Sequence, residues 1–239
     1  MLRLSPILFM FICSCTTLRQ TWPKSSEMTG SEYYRIAASY NWKQRDSLTE
    51  ALILRGNIPD FLRRFVRIKT KKTETVTGET IVTKFWVAPD YLAVGTNKDW
   101  ARVHVSARLA QRLADSLHCI LPTTQMVDHI YAAARVKLEP IPMYAYRDST
   151  PTFWQHHLII EGQRKGRKGL IAGIKKDIVQ TEKLKAYPNN DRVAIYGWHR
   201  LNGKPIQPLY LGHVWWYVDY SQGLRLVKLS RKFKVEGLR

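Results

Sequence analysis

The sequence predicts an α+β fold: N-terminal helices and a helical hairpin packed on a mainly antiparallel sheet formed by the C-terminal half. Three observations carry this. Leu109, Ala110, Leu113, Ala114 and Leu117 recur at helical spacing behind Ser106, and Met126, Val127, Ile130, Tyr131 and Ala134 do the same behind Pro122. After Phe153 the chain turns to alternating or β-branched runs separated by turn residues. Between two of these runs sits Asn202-Gly203, a hairpin signal because both central residues of a type I′ turn take positive φ.

The elements follow in order. Residues 1–14 read as a signal peptide, with Arg3 ahead of a short apolar stretch from Leu4 to Ile12 that is too brief to span a bilayer. Ile12-Cys13-Ser14-Cys15 resembles the lipobox of bacterial lipoproteins, which implies cleavage before Cys15 and a lipid anchor on it. Cys13 in the second place is atypical of that motif. Residues 15–30 read as a polar tether and residues 31–239 as a single domain. Ser31 is placed to cap a first helix, and Asp46 a second that ends at Gly56. Phe61 to Ile68 reads as strand or short helix, Lys69 to Glu79 as a basic turn region, and Thr80 to Val94 as a strand interrupted at Pro89-Asp90. Ser106 and either Thr123 or Thr124 cap the two helices of the hairpin, which Pro140 and Pro142 end. Strands are expected at Phe153 to Glu161, Leu170 to Thr181, Arg192 to His199, Ile206 to Leu211, His213 to Tyr220 and Leu224 to Leu229, with a basic hairpin tip from Gly162 to Gly169.

The 239 residues are 45% hydrophobic and include eight Trp, twelve Tyr and seven Phe, which is ample for one real core. The net charge of +19 draws in polyanions. For an exported protein these are lipopolysaccharide phosphates, peptidoglycan carboxylates and acidic polysaccharides. Nucleic acid is disfavoured by the leader and by the lack of a helix-turn-helix, zinc-finger or RNP-like pattern. Of the three cysteines, cleavage removes Cys13 and lipidation consumes Cys15, which leaves Cys119 alone, buried and inert. No metal-ligand spacing, Gly-rich phosphate loop or other cofactor motif is present, so neither a metal nor a cofactor is expected. His104, His118 and His129 are expected to be solvated or packed, and His156-His157 to point to opposite faces of a strand.

The second half holds the polar residues that are hardest to dismiss: Lys175-Lys176-Asp177, His199, His213, Asp219, Ser221 and Arg225. Asp177 lies in an apolar run and must be paired if it faces inward. His199 ends a strand, where sites form on a rigid frame. On a regular strand His213 and Asp219 would lie roughly 20 Å apart and could not share a site. His199 with Asp219 or with Asp177 is therefore the expected catalytic pairing. Arg225, Lys176, His213 and Trp198 are the expected substrate-binding residues, Arg225 because a guanidinium grips a carboxylate in two places.

Gly56-Asn57-Ile58-Pro59, Pro89-Asp90-Tyr91-Leu92-Ala93-Val94-Gly95, Leu121-Pro122-Thr123, Ile195-Tyr196-Gly197-Trp198-His199, Ile206-Gln207-Pro208-Leu209-Tyr210 and Asp219-Tyr220-Ser221 together resemble a family of exported bacterial proteins without a settled activity. The likeness covers roughly residues 55–228. It implies histidines where this chain has Ile174 and Gln222, and hence a histidine-lined site that the chain keeps only at His199, His213, Asp177 and Asp219. Two expectations follow. One is an exported, lipid-anchored hydrolase acting on an anionic glycan or peptidoglycan-type polymer, with His199 as general acid or base oriented by Asp219 or Asp177. The other is a non-catalytic surface module that grips such a polymer through basic residues while Trp198, Trp215, Trp216 and Tyr217 stack on sugar faces.

Overall fold

The computed structural model describes residues 17–73, 80–187, 189 and 191–229. The expected signal peptide and Cys15 lie outside the described residues. β1 (Thr17–Arg19) leads into α1 (Gly30–Ala37) and α2 (Trp42–Leu54). A 3-10 turn at Asp60–Arg63 opens the hairpin β2 (Arg64–Thr73) and β3 (Thr80–Val87), followed by the smaller β4 (Ala93–Gly95) and β5 (Trp100–Arg102). Then come α3 (Ala107–Ser116), α4 (Thr124–Ala133), β6 (Val136–Lys137), α5 (Thr150–Arg164), β7 (Ile171–Ala172), β8 (Lys176–Ile178), β9 (Ile195–His199), β10 (Pro205–Tyr210), β11 (Gln222–Gly223) and β12 (Val227–Leu229). The fold is α+β, as the sequence predicts, with several mostly antiparallel sheets. One sheet runs β1-β2-β3-β12 and another β10-β9-β8-β11. The pairs β8–β11 and β6–β7 are parallel.

Local chemistry fixes the helix ends, and it corrects two expected caps. Thr29, not Ser31, caps α1 by accepting from the Glu32 N–H, while Ser31 donates to Asp99 at 2.5 Å. Asn41 caps α2 in a reciprocal box with Gln44. Asp46 lies inside α2, buried, and accepts from the Ser106 N–H at the start of α3. Ser106 and Thr123 cap α3 and α4 as expected.

α3 and α4 do not form a hairpin packed on itself. Leu109, Leu113 and Ala114 of α3 join the large core with Tyr33, Ile53, Val94 and Val103. Met126, Ile130 and Tyr131 of α4 instead cover Ile68, Phe85, Val87 and Val227 of the first sheet.

The expected strand from Phe153 to Glu161 is the helix α5. Ser149 caps it and Pro151 sits in its first turn. Its buried stripe is Phe153, His156, His157 and Ile160, at i, i+3, i+4 and i+7. Two of those four positions are histidine, so the helical period is hidden from any reading that looks for aliphatic residues. The expected hairpin tip at 162–169 is the end of this helix, closed by Lys165 in the left-handed region at φ 48°.

Leu170 to Thr181 is two short strands broken at Gly173, where φ is 99° and an added Cβ would meet the Leu138 carbonyl. His213 to Tyr220 is a turn with a single bridge, Arg192 to Val214. The β9–β10 hairpin forms, but Gly203 alone of the Asn202-Gly203 pair takes positive φ, so its turn is not type I′. Residues 17–30, expected as a tether, are held to the domain. β1 pairs with β2, the Trp22 ring packs edge-on to Phe65, and Met28 exchanges hydrogen bonds with Asn57. No helix among the described residues is long and apolar enough to cross a membrane.

Arg102, with no exposed surface, joins β5 to the β3–β4 connection and to α5. It donates to Asp90 at 2.5 and 2.9 Å, pairs with Glu161 at 2.9 Å and reaches the His157 Nδ1 at 3.2 Å. Burial pushes the Asp90 carboxyl up, but the guanidinium outweighs it and holds the group below the usual carboxylate range. Removing one partner strands the other charge. Arg102→Met is expected to lower the unfolding free energy by about 3–5 kcal/mol, and Asp90→Asn/Arg102→Met to recover most of that loss, as read by urea denaturation.

Candidate functional site

β8 and the residue before it place three consecutive ionisable side chains in the interior: Lys175, Lys176 and Asp177, each no more than 3% exposed. Alternation along the strand sends them to different neighbours.

The Lys175 Nζ lies 2.6 Å from the Tyr220 carbonyl, 2.8 Å from the His104 Nε2 and 3.2 Å from the His156 Nδ1. The His104 Nε2 also lies 3.0 Å from the same Tyr220 carbonyl. The Tyr34 hydroxyl donates to the Arg102 carbonyl at 2.6 Å and lies 3.1 Å from the His104 Nδ1. Burial, reinforced by Lys175, pushes His104 well below its ordinary range and His156 down to about 2. Burial likewise pushes the Lys175 ammonium well down, with Arg102 adding to the effect. His104 and His156 are thus packed, as a histidine in the core usually is, but around a lysine. His156 and His157 share the inner side of one helix rather than opposite faces of a strand.

Lys176 pairs with Asp219 at 2.8 Å, and Arg147 reaches the same carboxylate oxygen at 3.1 Å. The other oxygen accepts from the Ser221 hydroxyl at 2.6 Å and the Ser221 N–H at 2.9 Å. Burial raises the Asp219 carboxyl, but Lys176 and Ser221 outweigh it and leave the group below its ordinary value. A serine that gives its proton to a strongly paired carboxylate is not an activated nucleophile.

Asp177 accepts from the Tyr91 hydroxyl at 2.9 Å and faces the Arg225 Nε at 3.5 Å, an ion pair without hydrogen-bond geometry. Burial pushes its carboxyl up to about 6, against the pull of Arg225.

The expected catalytic pairing does not form. The His199 Nε2 bonds Asp128 of α4 at 2.9 Å, and its ring stacks on Tyr131 at 4.5 Å. Asp219 and Asp177 hold the separate partners described above. His199 and Asp177 do border one cavity, with Lys175 and Arg225, but its volume of about 10 Å³ is room for one water. Of the expected substrate-binding residues, Arg225 is 1% exposed, stacks at 4.0 Å on Tyr91 and donates to the Ala88 and Ile171 carbonyls. It staples three elements together and does not face solvent. Lys176 and Trp198 are buried, Lys176 lying 5.9 Å over the Trp198 ring. His213 is half-buried between Tyr210 at 5.0 Å and Tyr217 at 4.5 Å. Because 213–219 is a turn, it is folded back within electrostatic reach of Asp219 and Lys176, contrary to the separation expected for a strand.

Gln222 is 1% exposed, and neither its amide nitrogen nor its oxygen has a partner among the described residues. Ile174 packs with Tyr91, Val136, Leu138, Ile160 and Ile171. Cys119 is buried as expected, and burial pushes its thiol up to about 12.

Sequence reasoning named Trp215 and Trp216 as surface aromatics but missed Trp42, Lys43 and Arg108, which join them. The turn at 213–217 is pinned to α3 by a hydrogen bond from the Ala107 N–H to the Trp215 carbonyl, and to Asp191 by the Trp215 N–H. There Trp42 stacks on Trp216 at 6.2 Å and meets Trp215 edge-on at 5.2 Å. The Arg108 guanidinium lies 4.0 Å over Trp215, and the Lys43 ammonium 5.6 Å over Trp42. Trp216 is 43% exposed. Trp42 and Arg108 are far from residues 215–216 in sequence and carry no motif, so only the fold reveals the group.

His104, His156 and His157 are neutral when folded and protonate on unfolding below about pH 6.5. The unfolded chain then binds more protons, so stability falls as pH drops below that value, by up to about 1.4 kcal/mol per pH unit for each imidazole. Asp177 acts in the opposite sense between about pH 4 and 6, since its folded carboxyl binds a proton more readily than the unfolded one. Burial also raises the Asp46 carboxyl, which acts in the same sense as Asp177, and the three imidazoles outweigh the two carboxyls. Urea denaturation from pH 7.5 to 4.5 is expected to give a steep acid loss, and His156→Gln to reduce its slope by roughly 1.4 kcal/mol per unit.

The chain matches no protein-family model, no curated protein and no solved structure.

Proposed function

We propose that this protein is an exported, lipid-anchored cell-envelope protein that binds an anionic polysaccharide or envelope polymer without cleaving it. The observation that carries the reading is the surface of Trp42, Trp215 and Trp216 with Arg108 and Lys43 over its rings. Flat aromatic faces stack on the apolar faces of sugar rings, and flanking cations take up carboxylate or sulfate. The side chains are held by ring contacts and by a turn whose backbone is bonded to α3, so little conformational freedom is lost on binding. The excess of 38 basic over 19 acidic residues favours encounter with a polyanion.

The hydrolytic alternative requires His199 to act with Asp219 or Asp177 on a substrate in an open cleft. His199 instead pairs with Asp128, and the space that it shares with Asp177 has room for one water. The family likeness points the same way, since it implies that two histidines of a polar site stand here as Ile174 and Gln222. Of the four aromatic residues expected to stack on sugars, Trp198 is buried, which leaves Trp215, Trp216 and Tyr217.

Affinity electrophoresis in gels containing an acidic polysaccharide is expected to retard the protein, and Trp216→Ala or Arg108→Ala to weaken retention about tenfold or more. No soluble fragments should appear on prolonged incubation. Release of fragments that ceases in His199→Ala would return the protein to the hydrolases.

A further inference from the structure

The β1-β2-β3-β12 sheet is covered on one side by α4, where Ile68, Phe85, Val87 and Val227 pack under Met126 and Ile130. Side chains of antiparallel partners point to the same side of a sheet. The register sets Arg67 opposite Trp86, Trp86 opposite Lys228, and Lys69 opposite Lys84. All five therefore share the other side, with Phe65, whose ring is covered by Trp22. Lys69 and Lys84 are exposed, and Arg67, Trp86 and Lys228 are half-buried. Among the described residues no carboxylate pairs with any of the four cations. Two lysines directly opposite each other repel, and nothing within the described fold relieves them.

We propose that this sheet face docks on the anionic phospholipid headgroups of a membrane. Arg67, Lys69, Lys84 and Lys228, of which Lys228 donates to Gln20 Oε1 at 3.5 Å and none meets a carboxylate among the described residues, surround a tryptophan that packs partly on the main core and is partly wet, and such a group matches a plane of lipid phosphates, each basic residue adding to the attraction. Chain length gives the second argument. β1 is the edge strand of this same sheet, and it starts at Thr17, two residues beyond Cys15. Two extended residues reach at most about 7 Å, so an anchor at Cys15 would hold the sheet within roughly one screening length of the headgroups. That placement rests on the export-and-anchor reading, whereas the charge pattern does not.

The test uses the full chain and co-sedimentation with two sets of vesicles, one of phosphatidylcholine alone and one that also contains phosphatidylglycerol. The readout is the ratio of the two partition coefficients, in which any uptake of the apolar leader cancels. The ratio is expected to lie well above one, to fall with added salt, and to drop about 25-fold in Lys69→Gln/Lys84→Gln, at roughly fivefold per lysine. Lys98→Gln/Lys168→Gln, which removes two exposed charges elsewhere, should change it less than twofold. A ratio near one for the unaltered chain, or an equal drop in both double variants, overturns the proposal. Mass spectrometry of Cys15 separates the two readings: an unacylated cysteine with the lipid preference intact removes the anchor and leaves the docking face standing.

Discussion

Three ionisable residues in succession on an interior strand set the terms for much of this fold. Lys175, Lys176 and Asp177 are each nearly sealed from water, and a buried charge without a partner costs several kcal/mol. Each must therefore recruit groups from other elements. Lys175 draws in His104 from ahead of α3, His156 from α5 and the Tyr220 carbonyl. Lys176 takes Asp219, and Asp177 takes Tyr91 and Arg225. Through these contacts β8 ties the helical first half to the C-terminal loops. The Arg102 hub with Asp90, Glu161 and His157 repeats the device one layer away. A core of this kind is specific, since these ion pairs and hydrogen bonds form only in one arrangement of the neighbours.

Legibility in the sequence followed the chemistry of the buried stripe. α3 and α4, whose inner faces are Leu, Ala, Met, Val and Ile, could be read with their caps, and so could the break at Pro89-Asp90. α5 could not, because His156 and His157 supply half of its buried face and do so only in exchange for Lys175 and Arg102. The turn at 213–219 was hidden for a related reason. Val214-Trp215-Trp216-Tyr217-Val218 has strand composition, but its backbone is taken up by Asp191, Ala107 and Val214 rather than by a ladder. Of the candidate site, the burial and pairing of Asp177 were legible, whereas the His199–Asp128 contact depends on the seating of α4 against β9, which no local pattern encodes.

The division of labour that emerges is between a polar interior and a decorated surface. Residues that look catalytic by type, Asp177, Asp219, Arg225 and Lys176, are occupied with one another, whereas Trp216, Lys69 and Lys84 are exposed. The proposed contacts with a polymer and with a lipid plane would call on surfaces of that composition. Gln222, buried with both ends of its amide unmet among the described residues, does not fit this economy, and the buried Trp198 Nε1 is likewise without a hydrogen-bond partner there.

The position of β12 has a consequence for biogenesis. Val227 has no exposed surface, pairs with Val87 and bridges Ile120, so the last described strand lies inside the cluster that α4 seals. A polypeptide emerging from the ribosome cannot close that layer until residue 229 is clear of the exit tunnel. Until then its first sheet stays open along one edge, a condition that leaves apolar side chains uncovered and invites holding factors.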